Sequence, residues 1–192
     1  MKILCDIDGV LADTTGHIIN WLRRECGHRM SIEDATEFPL ERVLPPSLRT
    51  HIEQRIPADA QFCWSVPRYE GAQQFIKDLR AQGHDITLVT HPMGGPHWEQ
   101  ARGEWIDSLL SFQTDGKVSW EWNFAEHRPN CAGDVLIEDR HDTACRWART
   151  GRDCILMDRP WNRLGEPKGV WRVRSYGEAL GLLKYTLSED AR

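Results

Sequence analysis

Residues 3–13, Ile-Leu-Cys-Asp-Ile-Asp-Gly-Val-Leu-Ala-Asp, constrain this chain more than any other stretch. Ile3 to Ile7 have the apolar clustering of a short buried strand. The strand closes on two carboxylates, Asp6 and Asp8, just before Gly9. Side chains on a regular strand alternate faces, but at a fraying end the glycine lets the backbone swing, so both acids can converge on one point. Open parallel sheets carry their chemistry at the carboxyl ends of strands. Two acids there repel unless a cation or a shared proton offsets the charge. The pattern therefore points to a Mg²⁺ site, or to a nucleophile with its general acid. A pair of solvated turn aspartates is the plainer alternative, and acids closing so apolar a strand argue against it.

The rest of the chain supplies a layered frame. A helix from Thr14 or Thr15 to about Cys26 carries Ile18, Ile19 and Leu22 as its stripe. Residues 27–69 then break the strand–helix rhythm, with one helix expected from Pro46 to Ile56. From Glu70 the rhythm resumes: a helix over about 70–82, a strand 85–90 and a helix from about Pro96 to Leu110. A polar, tryptophan-bearing connection leads to a strand 134–137, a helix 141–150, a strand 154–157, a last strand Val170–Val173 and a C-terminal helix from Ser175. The alternation predicts an α/β fold with a parallel sheet covered by helices on both faces. Residues 1–13 and 70–192 would form the core, and 14–69 a small helical cap inserted after the first strand.

Bulk properties exclude several function classes. A length of 192 residues allows one well-buried core. A net charge of −5 and a pI near 5.9 give no field for holding a nucleic-acid backbone, so no stable nucleic-acid partner is expected. No apolar run reaches membrane-spanning length, and no signal-peptide pattern precedes the first strand. The six cysteines include no Cys-x-x-Cys pair, so zinc and redox motifs are not indicated. A cytoplasmic protein is the expectation, with a homodimer left open. Most of the nine tryptophans are expected to fill the core or support surface packing.

Further polar positions fall at strand ends. Thr90-His91-Pro92 closes the strand 85–90, where a hydroxyl and the amides of the next turn can hold a phosphate oxygen. The strand 134–137 ends in Glu138-Asp139-Arg140, a second pair of acids beside the first.

Together these segments resemble the haloacid dehalogenase-like (HAD) hydrolases, and Asp-Ile-Asp-Gly-Val-Leu-Ala-Asp is most similar to their 5′(3′)-deoxyribonucleotidase branch. The resemblance extends from residue 3 to about residue 160. It implies Asp6 as the nucleophile, Asp8 as the acid/base and Thr90 as a grip on the transferring phosphoryl group. His91 stands where the branch usually has serine, and either contacts substrate or occupies the loop. Mg²⁺ would take Asp6, the Asp8 carbonyl and Asp139, with Glu138 ligating directly or through a water. For the family's cation, Lys117 is preferred, with Arg102 as a second phosphate contact. Phe62-Cys63-Trp64 resembles the aromatic segment before the cap-return helix. A ring there could stack on a nucleobase, a contact worth about 1–3 kcal/mol in single-stranded nucleic-acid systems, or pack the cap against the core. The implied substrate is a small molecule, a 5′-nucleoside monophosphate, preferably deoxy. A HAD phosphatase for another ester, such as a sugar phosphate or a nucleic-acid 3′-phosphate end, and a HAD-fold binding module without turnover remain as alternatives.

Overall fold

A computed structural model describes residues 1–112, 118–124 and 126–185. Its centre is β1 (Lys2–Asp6), whose side chains from Ile3 onward are all buried. A parallel strand covered on both faces needs such a continuous apolar run. β1 pairs with β2 (Asp85–Thr90) on one side and β4 (Val135–Glu138) on the other. β3 (Val118–Trp122) lies beyond β2, while β5 (Asp153–Met157) and β6 (Val170–Val173) lie beyond β4. Among the described residues this is one sheet of six parallel strands, ordered β3-β2-β1-β4-β5-β6.

Alternate residues of the strands enter different layers. Ile3, Cys5, Ile86, Leu88 and Ile137 pack with the stripes of α1 (Thr14–Cys26), α5 (Ala72–Ala81), α6 (Trp98–Leu109) and α8 (Tyr176–Tyr185). Leu4, Val89, Leu136 and Leu156 pack instead on Trp147 of α7 (His141–Ala148). Burying each such side chain contributes about 1.5–3 kcal/mol relative to exposure.

The one strand absent from the sequence expectation is β3, which lies in the tryptophan-bearing connection. It forms an edge, with Ser119 and Glu121 exposed and Trp120 and Trp122 half-buried. Its Val-Ser-Trp-Glu-Trp alternation is the period of a half-buried strand. The helix expected from Pro46 also runs differently. It begins as α2 (Pro46–Thr50), widens into a π-turn over His51–Arg55 and ends as α3 (Ile56–Ala58). α4 (Ala60–Trp64) follows, capped by the Asp59 carboxylate on the Phe62 amide. Paired backbone joins the two ends of the segment between β1 and α5. Asp13 N donates to the Pro67 carbonyl and Tyr69 N to that of Leu11, each at 2.9 Å.

Candidate active site

Strand register assembles the site. Asp6 pairs with Val89, and Cys5 with Ile137. Asp6 is therefore level with Glu138 and one step short of Thr90, at the point where the chain order reverses across β1. Beyond Asp6 the backbone turns tightly, with Leu11 N and Ala12 N both donating to the Ile7 carbonyl at 2.8 Å. Gly9 takes a φ of +78°, and a Cβ there would lie 2.0 Å from Asp139 Oδ2. Only glycine lets the first loop approach the second acid pair this closely.

The acids are held by several donors, one of them shared. Asp8 Oδ1 accepts from the Thr14 hydroxyl at 2.5 Å and from Arg102 Nη2 at 2.6 Å, and Oδ2 accepts from the Thr90 hydroxyl at 2.9 Å. Arg102 is fully buried, with its guanidinium 4.6 Å from the Trp98 ring centroid and 5.2 Å from that of Trp105. Asp6 Oδ1 accepts from Ile7 N at 2.9 Å and from Arg128 Nη2 at 2.8 Å. Arg128 also donates through Nη1 to Glu138 Oε2. The other Glu138 oxygen accepts from the backbone amides of Asp139 and Arg140 at 3.1 and 3.2 Å. Asp139 Oδ2 accepts from the Trp161 indole at 2.9 Å. Asn162 holds the Asp139 carbonyl at 2.6 Å.

The electrostatics favour an added cation. Ligand atoms of Asp6, Glu138 and Asp139, all buried, lie within 4.8 Å of one another. Burial, then the repulsion of neighbouring carboxylates, pushes Asp6 and Asp139 well above the usual carboxylate range, although Arg128 opposes the shift at Asp6. Burial would raise Glu138 too, but the Arg128 charge and hydrogen bonds outweigh it and hold Glu138 below its ordinary value. Burial works against the charge on Arg128, but its two carboxylate partners outweigh it and keep the guanidinium protonated. Among the described residues, Arg128 pairs with two of the three clustered carboxyl groups, a set of oxygens that fits a divalent oxygen-seeking ion. Among the described residues no N–H or hydroxyl donates to Asp6 Oδ2 or Asp139 Oδ1, whereas both oxygens of Glu138 accept such bonds. Asp6 and Asp139 each keep one oxygen that accepts from none of these donors, so a cation could take it. Glu138 also anchors Arg128 and the turn after β4, and its carboxylate lies in the same cluster as those of Asp6 and Asp139.

A cavity of about 520 Å³ opens over these groups. Asp6, Asp8, Asp139 and Arg128 line its floor, and Ile18, Phe38, Leu40 and Ile52 its outer wall. His91 lies on the wall, edge-on to Phe124 at 4.6 Å, and burial lowers its pKa. Thr90 and Arg102, expected as phosphate contacts, are both within the site but donate to Asp8. Lys117 lies outside the described residues. Of the two places expected for the aromatic pair of α4, Phe62 takes the packing one, and neither ring lines the cavity. Phe62 is buried between His17 and Trp98, with ring centroids 4.4 and 6.4 Å away. Trp64 is 42% exposed, its indole donates to Glu104 Oε2 at 2.8 Å, and it does not line the cavity. The helical turn directs Phe62 and Cys63 inward, which leaves Trp64 facing α6. Sequence reasoning missed Arg128, Thr14 and Trp161. Arg128 sits in an irregular His-Arg-Pro-Asn stretch whose only signal is a cation shortly before an acid pair.

Comparison with known proteins agrees with this geometry. The sequence model of the family described as "5′ nucleotidase, deoxy (Pyrimidine), cytosolic type C protein" matches residues 1–187. The presumed nucleotidase BH1399 of Halalkalibacterium halodurans is 25% identical over 176 residues, covering 91% of this chain and 88% of its own. Among solved structures, the haloacid dehalogenase-like hydrolase SP0104 from Streptococcus pneumoniae superposes with a TM-score of 0.61 at 13% identity, covering 95% of this chain and 97% of its own. The D,D-heptose 1,7-bisphosphate phosphatase from Burkholderia thailandensis gives 0.57 at 12% identity, covering 95% and 98%. At such identities the structures speak for the fold.

Proposed function

Because this chain belongs to the deoxy (pyrimidine) cytosolic type C 5′-nucleotidase family and is a HAD-type phosphatase, we propose that it is a Mg²⁺-dependent 5′-nucleotidase hydrolysing (deoxy)nucleoside monophosphates through an aspartyl-phosphate. The observation that carries this reading is the state of Asp6. One carboxylate oxygen is pinned by Ile7 N and Arg128, while the other faces no donor among the described residues, in a cleft shared with Asp8.

In this mechanism Asp6 Oδ2 attacks phosphorus in line, and the bond to the leaving ester oxygen breaks. Asp8, protonated, donates to that oxygen, and then as a carboxylate takes a proton from the water that hydrolyses the aspartyl-phosphate. Thr14, Thr90 and Arg102 hold Asp8 in place for both transfers. Arg128 compensates charge on Asp6 and Glu138. Mg²⁺, held by Asp6, Asp139 and the Asp8 carbonyl, would supply further charge neutralisation between nucleophile and phosphate. Residues 14–69 act as the cap, and Phe38, Leu40 and Ile52 give the leaving group an apolar wall.

The test is phosphate release from all ribo- and deoxynucleoside monophosphates, with and without Mg²⁺, beside sugar phosphates and 3′-phosphorylated oligonucleotides. Mg²⁺-dependent turnover highest on deoxynucleotides is expected. Preference for a sugar phosphate or a 3′-phosphate end would retain the phosphatase and remove the nucleotidase assignment.

A further inference from the structure

Arg152 lies in the turn between α7 and β5, away from every carboxylate of the site and outside the cavity lining. Its guanidinium serves backbone almost entirely. Nη1 donates to the carbonyls of Cys131 at 2.7 Å and Gly133 at 3.2 Å, and Nη2 donates to the carbonyl of Pro129. Nε is held by the Thr150 hydroxyl at 2.8 Å. The group lies 3.5 Å from the centroid of the Trp147 ring, itself fully buried and fastened by its indole to the Asp153 carbonyl at 2.9 Å.

The three carbonyls belong to the stretch that begins directly after Arg128. This stretch is a single 3₁₀ turn (Arg128–Asn130) followed by irregular chain, with no strand partner before β4. Backbone carbonyls of such a segment need donors from elsewhere. A planar fork stacked on a rigid indole delivers several in fixed geometry, whereas a lysine offers one mobile ammonium. Asn123 grips the same stretch from its other side, through Nδ2 to Cys131 Sγ at 2.9 Å. At the far end of the clamped segment Arg128 must reach Asp6 and Glu138 at once from a buried position.

We propose that Arg152 is a positioning residue for Arg128. By fastening residues 129–133 to α7 and β5, it holds the Arg128 guanidinium between Asp6 and Glu138. For turnover this rests on the phosphatase reading above, and cation binding provides a readout that does not. Terbium(III) alone, sensitised by Trp161 through its contact with Asp139, reports on the carboxylate cluster. Arg128→Ala removes a positive charge from beside the Asp6 and Glu138 carboxylates of the cluster and is expected to tighten terbium binding and lower kcat. Arg152→Ala should shift both in the same directions, with kcat down about tenfold and KM little changed. Adding Arg152→Ala to Arg128→Ala should change neither quantity further, because one residue acts through the other. Arg152→Lys, which retains the charge and the stem, should resemble Arg152→Ala. Additive effects in the double variant, a wild-type Arg152→Lys, or a lowered Tm with unchanged terbium affinity would each overturn the proposal. If Arg152→Ala does not fold, Arg152→Lys carries the same non-additivity test. Absence of phosphate release from the wild-type enzyme would remove the phosphatase reading and leave the terbium comparison decisive for Arg152.

Discussion

Asp6, Glu138 and Asp139 show how three similar side chains at one place divide their work. Asp6 keeps an oxygen that accepts from no N–H or hydroxyl among the described residues, so Asp6→Asn, nearly isosteric, should abolish phosphate release while leaving Tm and circular dichroism close to wild type. Trapping with beryllofluoride should place the analogue on Asp6, and turnover retained by Asp6→Asn would rule out the covalent route. Asp139 and Glu138 are separated by their hydrogen bonds. Asp139→Ala should weaken Mg²⁺ affinity more than Glu138→Ala, as read by titration of activity. Glu138→Ala should lower stability more, because it leaves Arg128 buried with half of its compensation. Breaking a buried pair from one side costs about 3–5 kcal/mol. A Glu138→Ala protein that melts like wild type would mean that Arg128 finds another partner.

At the scale of elements, residues between α1 and α3 supply much of the outer wall of the cavity. α4 presents Phe62 to the interior and Trp64 to Glu104 on α6, so of the aromatic residues that line the cavity, Phe38, His91 and Trp98, none comes from α4; Phe38 is exposed and Trp98 buried. Phe38→Ala is expected to raise KM for nucleotides several-fold and to leave hydrolysis of p-nitrophenyl phosphate nearly unchanged. Trp64→Ala should leave both alone. Lost ground-state contact raises KM without touching the chemical step. A rise in nucleotide KM for Trp64→Ala instead would return α4 to the substrate wall. The loop between β1 and α1 is equally particular. Gly9→Ala places a methyl against the Asp139 carboxylate in left-handed backbone, so it should reduce both Mg²⁺ affinity and Tm.

At the scale of the whole molecule, the buried acids couple stability to pH and to metal. Asp6 and Asp139 titrate above the carboxylate range in the folded, metal-free protein and near it when unfolded. The folded state thus binds more protons than the unfolded state as pH rises from about 4 towards the raised values. Over that window these two groups make the metal-free protein progressively less stable. Mg²⁺ binds the ionised forms, so its stabilisation should grow with pH. Thermal melts with and without Mg²⁺ at pH 6 and pH 8 should show a larger Tm increment at pH 8. Equal increments would mean that the acids are already ionised without metal. Chelation with EDTA should stop turnover, and Mg²⁺ should restore it.

The sequence by itself determined the frame and the acids. A continuous apolar run ending in Asp-x-Asp-Gly reads as a central parallel strand because local pattern and burial coincide there. The same holds for Ile86 to Thr90 and for Val135 to Asp139, where strand ends carry polar groups in place. β3 escaped because an edge strand is only half-buried, and its alternation lay among polar neighbours. Tertiary structure alone brought Arg128, among the described residues, to the acids. Arg128 meets Asp6 across 122 positions of sequence, through an irregular segment with no periodicity to reveal its direction. It also decided that Trp64 turns outward while Trp161 turns in, since the facing of a single ring depends on neighbours that only the folded chain brings together. Strand register, set by the packing of whole faces, then brought Asp6 level with Glu138.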